Sequence, residues 1–243
     1  MNDQGDATRY NEFGQPVGAP LDNWTTRPRP PLSAMEGRFS RVEPLDATRH
    51  GDDLFTAFAD DDDGRIWTYM ASGPFADRQA FDRWLSICQD SEDPFFHAIV
   101  DLKSGHASGV ASFMRMAPEM GVIEVGNISL APRLQKTAAA TEAMYLMMRR
   151  VFDELGYRRY EWKCDSLNAP SRKAAERLGF TFEGIFRQAV VYKGRNRDTA
   201  WYAITDREWP AIRQALVSWL DAGNFDGEGG QKQPLSAFMP KRS

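Results

Sequence analysis

Glu124-Val-Gly-Asn-Ile-Ser-Leu130, followed by Ala131-Pro-Arg-Leu-Gln-Lys-Thr-Ala-Ala-Ala140 and Thr141-Glu-Ala143, decides the fold. It reads as a strand, a short polar loop and the opening of a helix. A strand that runs through such a loop into a helix aims free backbone N–H groups and the positive helix end at one point, which suits a phosphate. A second crossing follows it. Tyr157 to Cys164 is a strand, Asn168-Ala-Pro-Ser171 starts a helix, Leu178-Gly179-Phe180 ends it, and a further strand runs on through Gly184 to Arg187. The second helix start falls on the same side as the first. The pair implies a phosphate-bearing cofactor held between two strand ends, and hence an enzyme.

Upstream, Arg38 to Leu45 alternates with period two and predicts a strand. Asp46 caps a helix through about Ala59, and Asp77 caps a second with Phe81, Trp84, Leu85 and Cys88 on one face. Asp60 to Asp63 is expected to be a solvated loop, with a cation site as the sharper alternative. Strands are expected over 95–102, from about 106 to 116, and from the turn at Gly121 to Leu130, with short connections that imply an antiparallel meander. The helix after Ala140 carries Met144, Met147, Met148, Val151, Phe152 and Leu155, a core-facing stripe, and Gly156 ends it. Gly194 to Asp198 is expected to break the chain before a strand at 199–205, and a last helix spans about 207–221.

The 243 residues suit one domain with extensions: an extended arm over 1–37, a globular domain over 38–222 and a tail over 223–243. Arg27-Pro-Arg-Pro-Pro31 excludes helix from the centre of the arm, and Phe13, Val17, Leu21 and Trp24 are expected to lay it on the body. Leu235, Phe238 and Met239 are the anchors of the tail. A net charge of −4 argues against a non-specific nucleic-acid binder, although Arg187, Lys193, Arg195 and Arg197 form a local basic cluster able to touch an anion. Cys88 and Cys164 form no C-x-x-C pair, and His50, His97 and His106 are scattered, so no metal site is expected. No signal peptide or membrane-length apolar run is visible, which points to a reducing cytoplasm.

Taken in order and spacing, Glu124-Val-Gly126, Gln135-Lys-Thr-Ala138-Ala-Ala140 with Thr-Glu-Ala143, Asn168-x-x-Ser171, Leu178-Gly-Phe180 with Glu183-Gly184, and Gly194-x-x-Arg197-Asp198 resemble the GNAT superfamily of acyl-CoA-dependent N-acyltransferases. Within it, the chain is most similar to the branch containing the ribosomal-protein N-terminal acetyltransferases. The resemblance covers residues 38 to about 210. It implies an α+β fold: a mixed, mostly antiparallel sheet of about seven strands, splayed in the middle, with helices on both faces. It also implies acetyl-CoA as co-substrate, with no metal.

The resemblance carries over residue by residue. The diphosphate is expected on the loop Gln135, Lys136, Thr137, Ala138, Ala139, Ala140 and Thr141, with charge added by Lys136 and Arg133. The pantetheine arm is expected along Asn127, Ile128, Ser129 and Leu130, with Asn168 opposite. Ala138 and Ala140 stand where the family commonly has glycine, and Lys136 where another glycine is common. That departure damages binding if those positions need positive φ, and is harmless if they lie in the first helical turn. Many members place a tyrosine acid seven residues after the asparagine; this chain has Ala175 there, so Ser171 is the candidate to protonate or hydrogen-bond the leaving thiolate. Glu124 is the leading base, with Glu161 and Asp165 competing. A backbone N–H near Ile128 to Leu130 is the expected oxyanion donor. Direct transfer is expected rather than a covalent step on Cys164, which has no evident histidine beside it.

The acceptor is expected between the first two helices, the 64–75 loop and the 187–198 turn, where Trp67, Tyr69, Phe75 and Trp84 make an aromatic surround that is mostly core. The acidic run weakly favours a cationic acceptor: a protein N-terminus, a lysine, an amino sugar, a polyamine or an amine-bearing antibiotic. No membrane partner is expected, and homodimerisation stays open. A non-catalytic acyl-CoA sensor and a partner-binding adaptor are the alternative readings on the same fold.

Overall fold

The computed structural model describes residues 8–241. Among these described residues, ten strands form two sheets. β1 (Arg9–Tyr10) and β2 (Pro16–Val17) pair in a small hairpin. The other eight form one sheet: β3 (Met35–Glu36), β4 (Ser40–Pro44), β5 (Phe95–Asp101), β6 (His106–Ala117), β7 (Val122–Leu130), β8 (Arg159–Asp165), β9 (Thr181–Tyr192) and β10 (Arg195–Thr205). Their spatial order is β3-β4-β5-β6-β7-β8-β10-β9. All neighbours are antiparallel except β7 and β8. The sheet is therefore α+β and mixed, with eight strands instead of about seven, because Met35–Glu36 pairs with Val42 and Arg41.

Five α-helices flank it: α1 (Ala47–Phe58), α2 (Arg78–Gln89), α3 (Ala138–Arg149), α4 (Ala169–Arg177) and α5 (Trp209–Leu220). Asp46, Asp77, Thr137 and Asn168 cap the first four by accepting backbone N–H bonds. α1 and α2 pack with Ala98, Val100 and Val110 in one core; α3, α4 and α5 pack with Ile123, Val125, Tyr160, Trp162 and Tyr202 in the other. Strand residues of alternating parity thus serve opposite faces. α3 begins at Ala138, three residues before the expected opening, and runs into a π-type turn over Arg150–Glu154.

β9 and β10 form a longer hairpin than expected. The break falls at Lys193 and Gly194, with φ of 48° and 70°, and not across Gly194–Asp198. Two consecutive residues at positive φ match the right-handed twist of the flanking strands, so the hairpin continues to its tip.

Residues 24–36 are tied to the body by polar contacts. Trp24 Nε1 donates to Glu119 O (2.8 Å), Arg27 N to Pro118 O (2.9 Å), and buried Arg150 donates to Ser33 Oγ and Ala34 O. The expected burial of Phe13, Val17 and Leu21 does not occur: all three are exposed among the described residues, Phe13 and Val17 at or beside the small β1–β2 hairpin. In the tail Leu235 is buried, and Phe238 and Met239 pack against the α3–α5 core. No helix among the described residues is long and apolar enough to cross a membrane.

Candidate active site

β7 and β8 are paired only through Val122–Arg159, Ile123–Tyr160, Glu124–Glu161 and Val125–Trp162. Beyond Val125 and Trp162 the facing edges carry no ladder. The parallel strands part toward their carboxyl ends, where the α3 loop and α4 begin. Asn127, at φ 50°, lies where the β6–β7 register shifts, and its Nδ2 donates to Ser112 Oγ (3.0 Å). This bulge bends β7 away from β8. Ser129 is buried, and its hydroxyl has no hydrogen-bond partner among the described residues.

The loop before α3 answers the question of the missing glycines. Ala138 and Ala140 lie in the first helical turn, where alanine fits without strain. Lys136 does adopt the left-handed conformation, at φ 61°. Thr137 Oγ1 donates to Leu134 O (2.7 Å) and accepts from Ala140 N (3.1 Å). Gln135 Nε2 reaches back to Leu130 O (2.9 Å), bracing the loop against the end of β7. The amides of Lys136, Thr137, Ala138 and Ala139 have no acceptor within the described residues and remain available to an anion. Contrary to expectation, Arg133 offers no free charge there, because its guanidinium is held by Asp60 at 2.5–2.6 Å. That pair, with Asp63 bound to Arg65 and Asp61 accepting Ile66 N, also neutralises most of the acidic run and weakens its draw on a cation.

On α4, Asn168 Oδ1 accepts Ser171 N (3.1 Å). Trp162 Nε1 donates to Ser171 Oγ (3.0 Å), which fixes the hydroxyl, and the same hydroxyl hydrogen-bonds the Cys164 side chain. Glu124 is buried on the paired part of β7. Its Oε2 lies 2.9 Å from Lys163 Nζ and 3.6 Å from Arg115 Nε. Burial pushes the Glu124 carboxyl above its ordinary range, against the pull of Lys163 and Arg115. Burial acts on Glu161 the same way, but hydrogen bonds from Lys163 and Arg159 outweigh it and hold that carboxyl low. Asp165 is occupied by Tyr192 OH and Leu167 N, both at 2.9 Å. Of the two glutamates, Glu124 alone is raised. No hydrogen bond or ion pair joins it to Ser171 among the described residues.

Lys163 was not singled out by sequence. It is buried between Glu124 and Glu161, with its ammonium 3.8 Å from the Trp201 ring centroid. Its i, i+2 spacing from Glu161 on one strand was the available signal. Phe186 stacks on Trp201 at 4.2 Å, extending this face toward a surface cavity of about 710 Å³ lined by Phe186, Arg187, Gln188, Asn196 and Asp198. Trp67 is buried among Phe58, Phe75 and Trp84, which makes that aromatic group core packing; Tyr69 OH reaches Leu167 O at the cleft margin. Burial raises the Cys164 thiol, opposed by Ser171, and none of the three histidines contacts it. Among the described residues no cluster of His, Cys, Asp or Glu is arranged to hold a metal ion.

The Acetyltransferase (GNAT) domain family matches residues 41–181, more than half of the chain. This chain belongs to the GNAT acetyltransferase family. It is a GNAT N-acetyltransferase in class, and the family implies use of acetyl-CoA. The crystal structure of a GCN5-related N-acetyltransferase from Brucella melitensis is 51% identical, with a TM-score of 0.87 over 90% of this chain and 99% of that one. An acetyltransferase from Salmonella typhimurium, described as modifying the N-terminal serine of the 50S ribosomal subunit protein L7/L12, shares the fold at 18% identity. Its TM-score is 0.61 over 71% of this chain and 99% of that one. The Uncharacterized N-acetyltransferase YnaD of Bacillus subtilis is 28% identical over 78 residues, 32% of this chain and 46% of the length of that curated relative.

The GNAT residues present here fit acetyl-CoA on two counts. The unpaired amides before α3 match the chemistry of a diphosphate, and the parted strand edges match a peptide-like tether.

Proposed function

We propose that this chain transfers an acetyl group from acetyl-CoA to a primary amine by direct attack within a ternary complex. One observation carries the reading: the β7–β8 ladder ends at Val125 and Trp162, beside the unpaired amides of the α3 loop. The co-substrate supplies an activated thioester. The loop from Gln135 to Thr141 binds the diphosphate, while Asn127 to Leu130 and Asn168 flank the pantetheine arm.

Glu124 accepts the ammonium proton of the acceptor through water, leaving a neutral amine. As the C–N bond forms and the C–S bond breaks, a backbone N–H in the stretch Ile128 to Leu130 stabilises charge on the acyl oxygen. Ser171 gives a proton to the departing thiolate and is reprotonated, by way of solvent, with the second proton that leaves the attacking nitrogen as the amide forms. Lys163 keeps Glu124 in place and limits the rise of its pKa. The acceptor enters over the Trp201–Phe186 face, between the β9–β10 hairpin and the loop after α1. Small-molecule amines, lysine side chains and protein N-termini all present the required group.

The test is a thermal-shift titration with acetyl-CoA, then a thiol-release screen across an amine panel. At a hundredfold excess over Kd, binding adds roughly 2.7 kcal/mol to stability. Binding without thiol release for any amine would favour a sensor, and no shift at all would remove the acetyl-CoA reading.

A further inference from the structure

Arg177, the last residue of α4, reaches across to the cofactor helix. Its Nη1 donates to Thr141 Oγ1 at 3.2 Å, and Thr141 lies on the first turn of α3. The guanidinium also lies 5.4 Å from the ring centroid of fully buried Trp219. Among the described residues no carboxylate pairs with it: its neighbour Glu176 is bound to Tyr202, and buried Glu142, next to Thr141, is spent on backbone donors from 38–40.

A guanidinium carries five N–H donors, and the single protein hydrogen bond found here uses one. It is placed beside the positive end of a helix, where a cation is disfavoured unless an anion joins them. Enough protein surrounds it to push its pKa down, although the residue reaches the surface. A bare salt-exposed arginine needs no explanation; one anchored to the cofactor helix, without an acid, does.

We propose that Arg177 binds a phosphate of CoA, forking onto its oxygens while its anchor on Thr141 holds it in reach of the α3 loop. This rests on the acetyl-CoA reading above and adds to it a residue from the second helix start. Thr141 is the positioning group. CoA offers two sources of phosphate, the diphosphate and the 3′-phosphate of the ribose, and the experiment separates them.

Calorimetric titration with CoA and with 3′-dephospho-CoA, on the wild-type chain and R177Q, tests the proposal. The expected result is a roughly ten- to hundredfold weaker Kd for CoA in R177Q, the scale of a lost charged hydrogen bond. If dephospho-CoA affinity is unchanged by the substitution, Arg177 contacts the 3′-phosphate; if it falls equally, the diphosphate. R177K keeps the charge but not the fork, and its several-fold loss serves as the readout should R177Q not fold. CoA binding equal to wild type in a folded variant overturns the role of Arg177 alone. Failure of the wild-type chain to bind CoA overturns the acetyl-CoA reading with it.

Discussion

Lys163 Nζ lies 2.9 Å from Glu124 Oε2, and both side chains are 5% exposed. The lysine follows Trp162, the last β8 residue in the ladder with β7, and it serves Glu161 as well, at 2.7 Å. Replacing Lys163 by Met therefore leaves two buried carboxylates short of a counter-ion. The expected loss is about 3 kcal/mol in urea unfolding at neutral pH. The sign with pH follows from Glu124. Its folded pKa is raised, so its contribution is largest below its unfolded value of 4.5 and is lost as pH rises through the folded value. The deficit of K163M should thus shrink as pH falls toward that value; a deficit that grows on acidification would contradict the pairing.

Glu124→Gln should abolish the acid limb of the kcat/KM profile. In the wild type that limb lies above the ordinary carboxylate value of 4.5, since burial raises the group, and in K163M it should move to higher pH as a stabilising cation is removed. A limb that survives in E124Q would assign the proton transfer to another group.

Ser171→Ala should reduce kcat by about a hundredfold if the hydroxyl serves the leaving thiolate. It also strands Trp162 Nε1, so a loss of about 1 kcal/mol in stability is expected. A stability loss with kcat intact would make Ser171 a structural partner of the indole only.

Two positions of the loop before α3 should respond to glycine in opposite directions. Lys136→Gly relieves a left-handed side-chain-bearing residue and should raise stability by up to about 1 kcal/mol in thermal unfolding. Ala138→Gly loosens the first turn of α3 and should lower it by about 1 kcal/mol. Equal effects of the two would mean that the loop does not distinguish them.

Glu142 accepts from Arg38 N, Phe39 N, Ser40 N and Ser40 Oγ at 2.6–3.2 Å, tying the start of β4 to α3. Glu142→Ala strands these donors and should cost about 3 kcal/mol, while Glu142→Gln, able to keep one oxygen on Phe39 and Ser40, should cost about 1 kcal/mol. Chemical denaturation of the two variants gives the ratio.

Much of the architecture was legible along the chain. Asp46, Asp77 and Asn168 mark helix starts through a local side-chain bond to a backbone N–H three residues on, and that bond needs no tertiary partner. The meander from Phe95 to Leu130 follows from alternation and turns. The polar run Arg195 to Asp198 reads as a loop in sequence but forms the start of β10, because polar residues suit an exposed strand as well as a loop. The arm's apolar residues carry the same ambiguity: apolar character permits burial without requiring it, and Phe13 is exposed among the described residues.

What the amino-acid order determined by itself is the succession of strands and helices, the two helix starts after neighbouring strands, and the resemblance that those motifs carry. Only the folded chain decided that Lys163 joins Glu124, that Asp60 takes Arg133 out of the phosphate loop, that Lys136 bears the left-handed turn, and that Arg177 meets Thr141 across 36 positions. Caps and alternation are local, set by residues a few bonds apart. Ion pairs across strands, and the φ of a loop residue, are set by register and by closure of distant elements, which no short window of sequence contains.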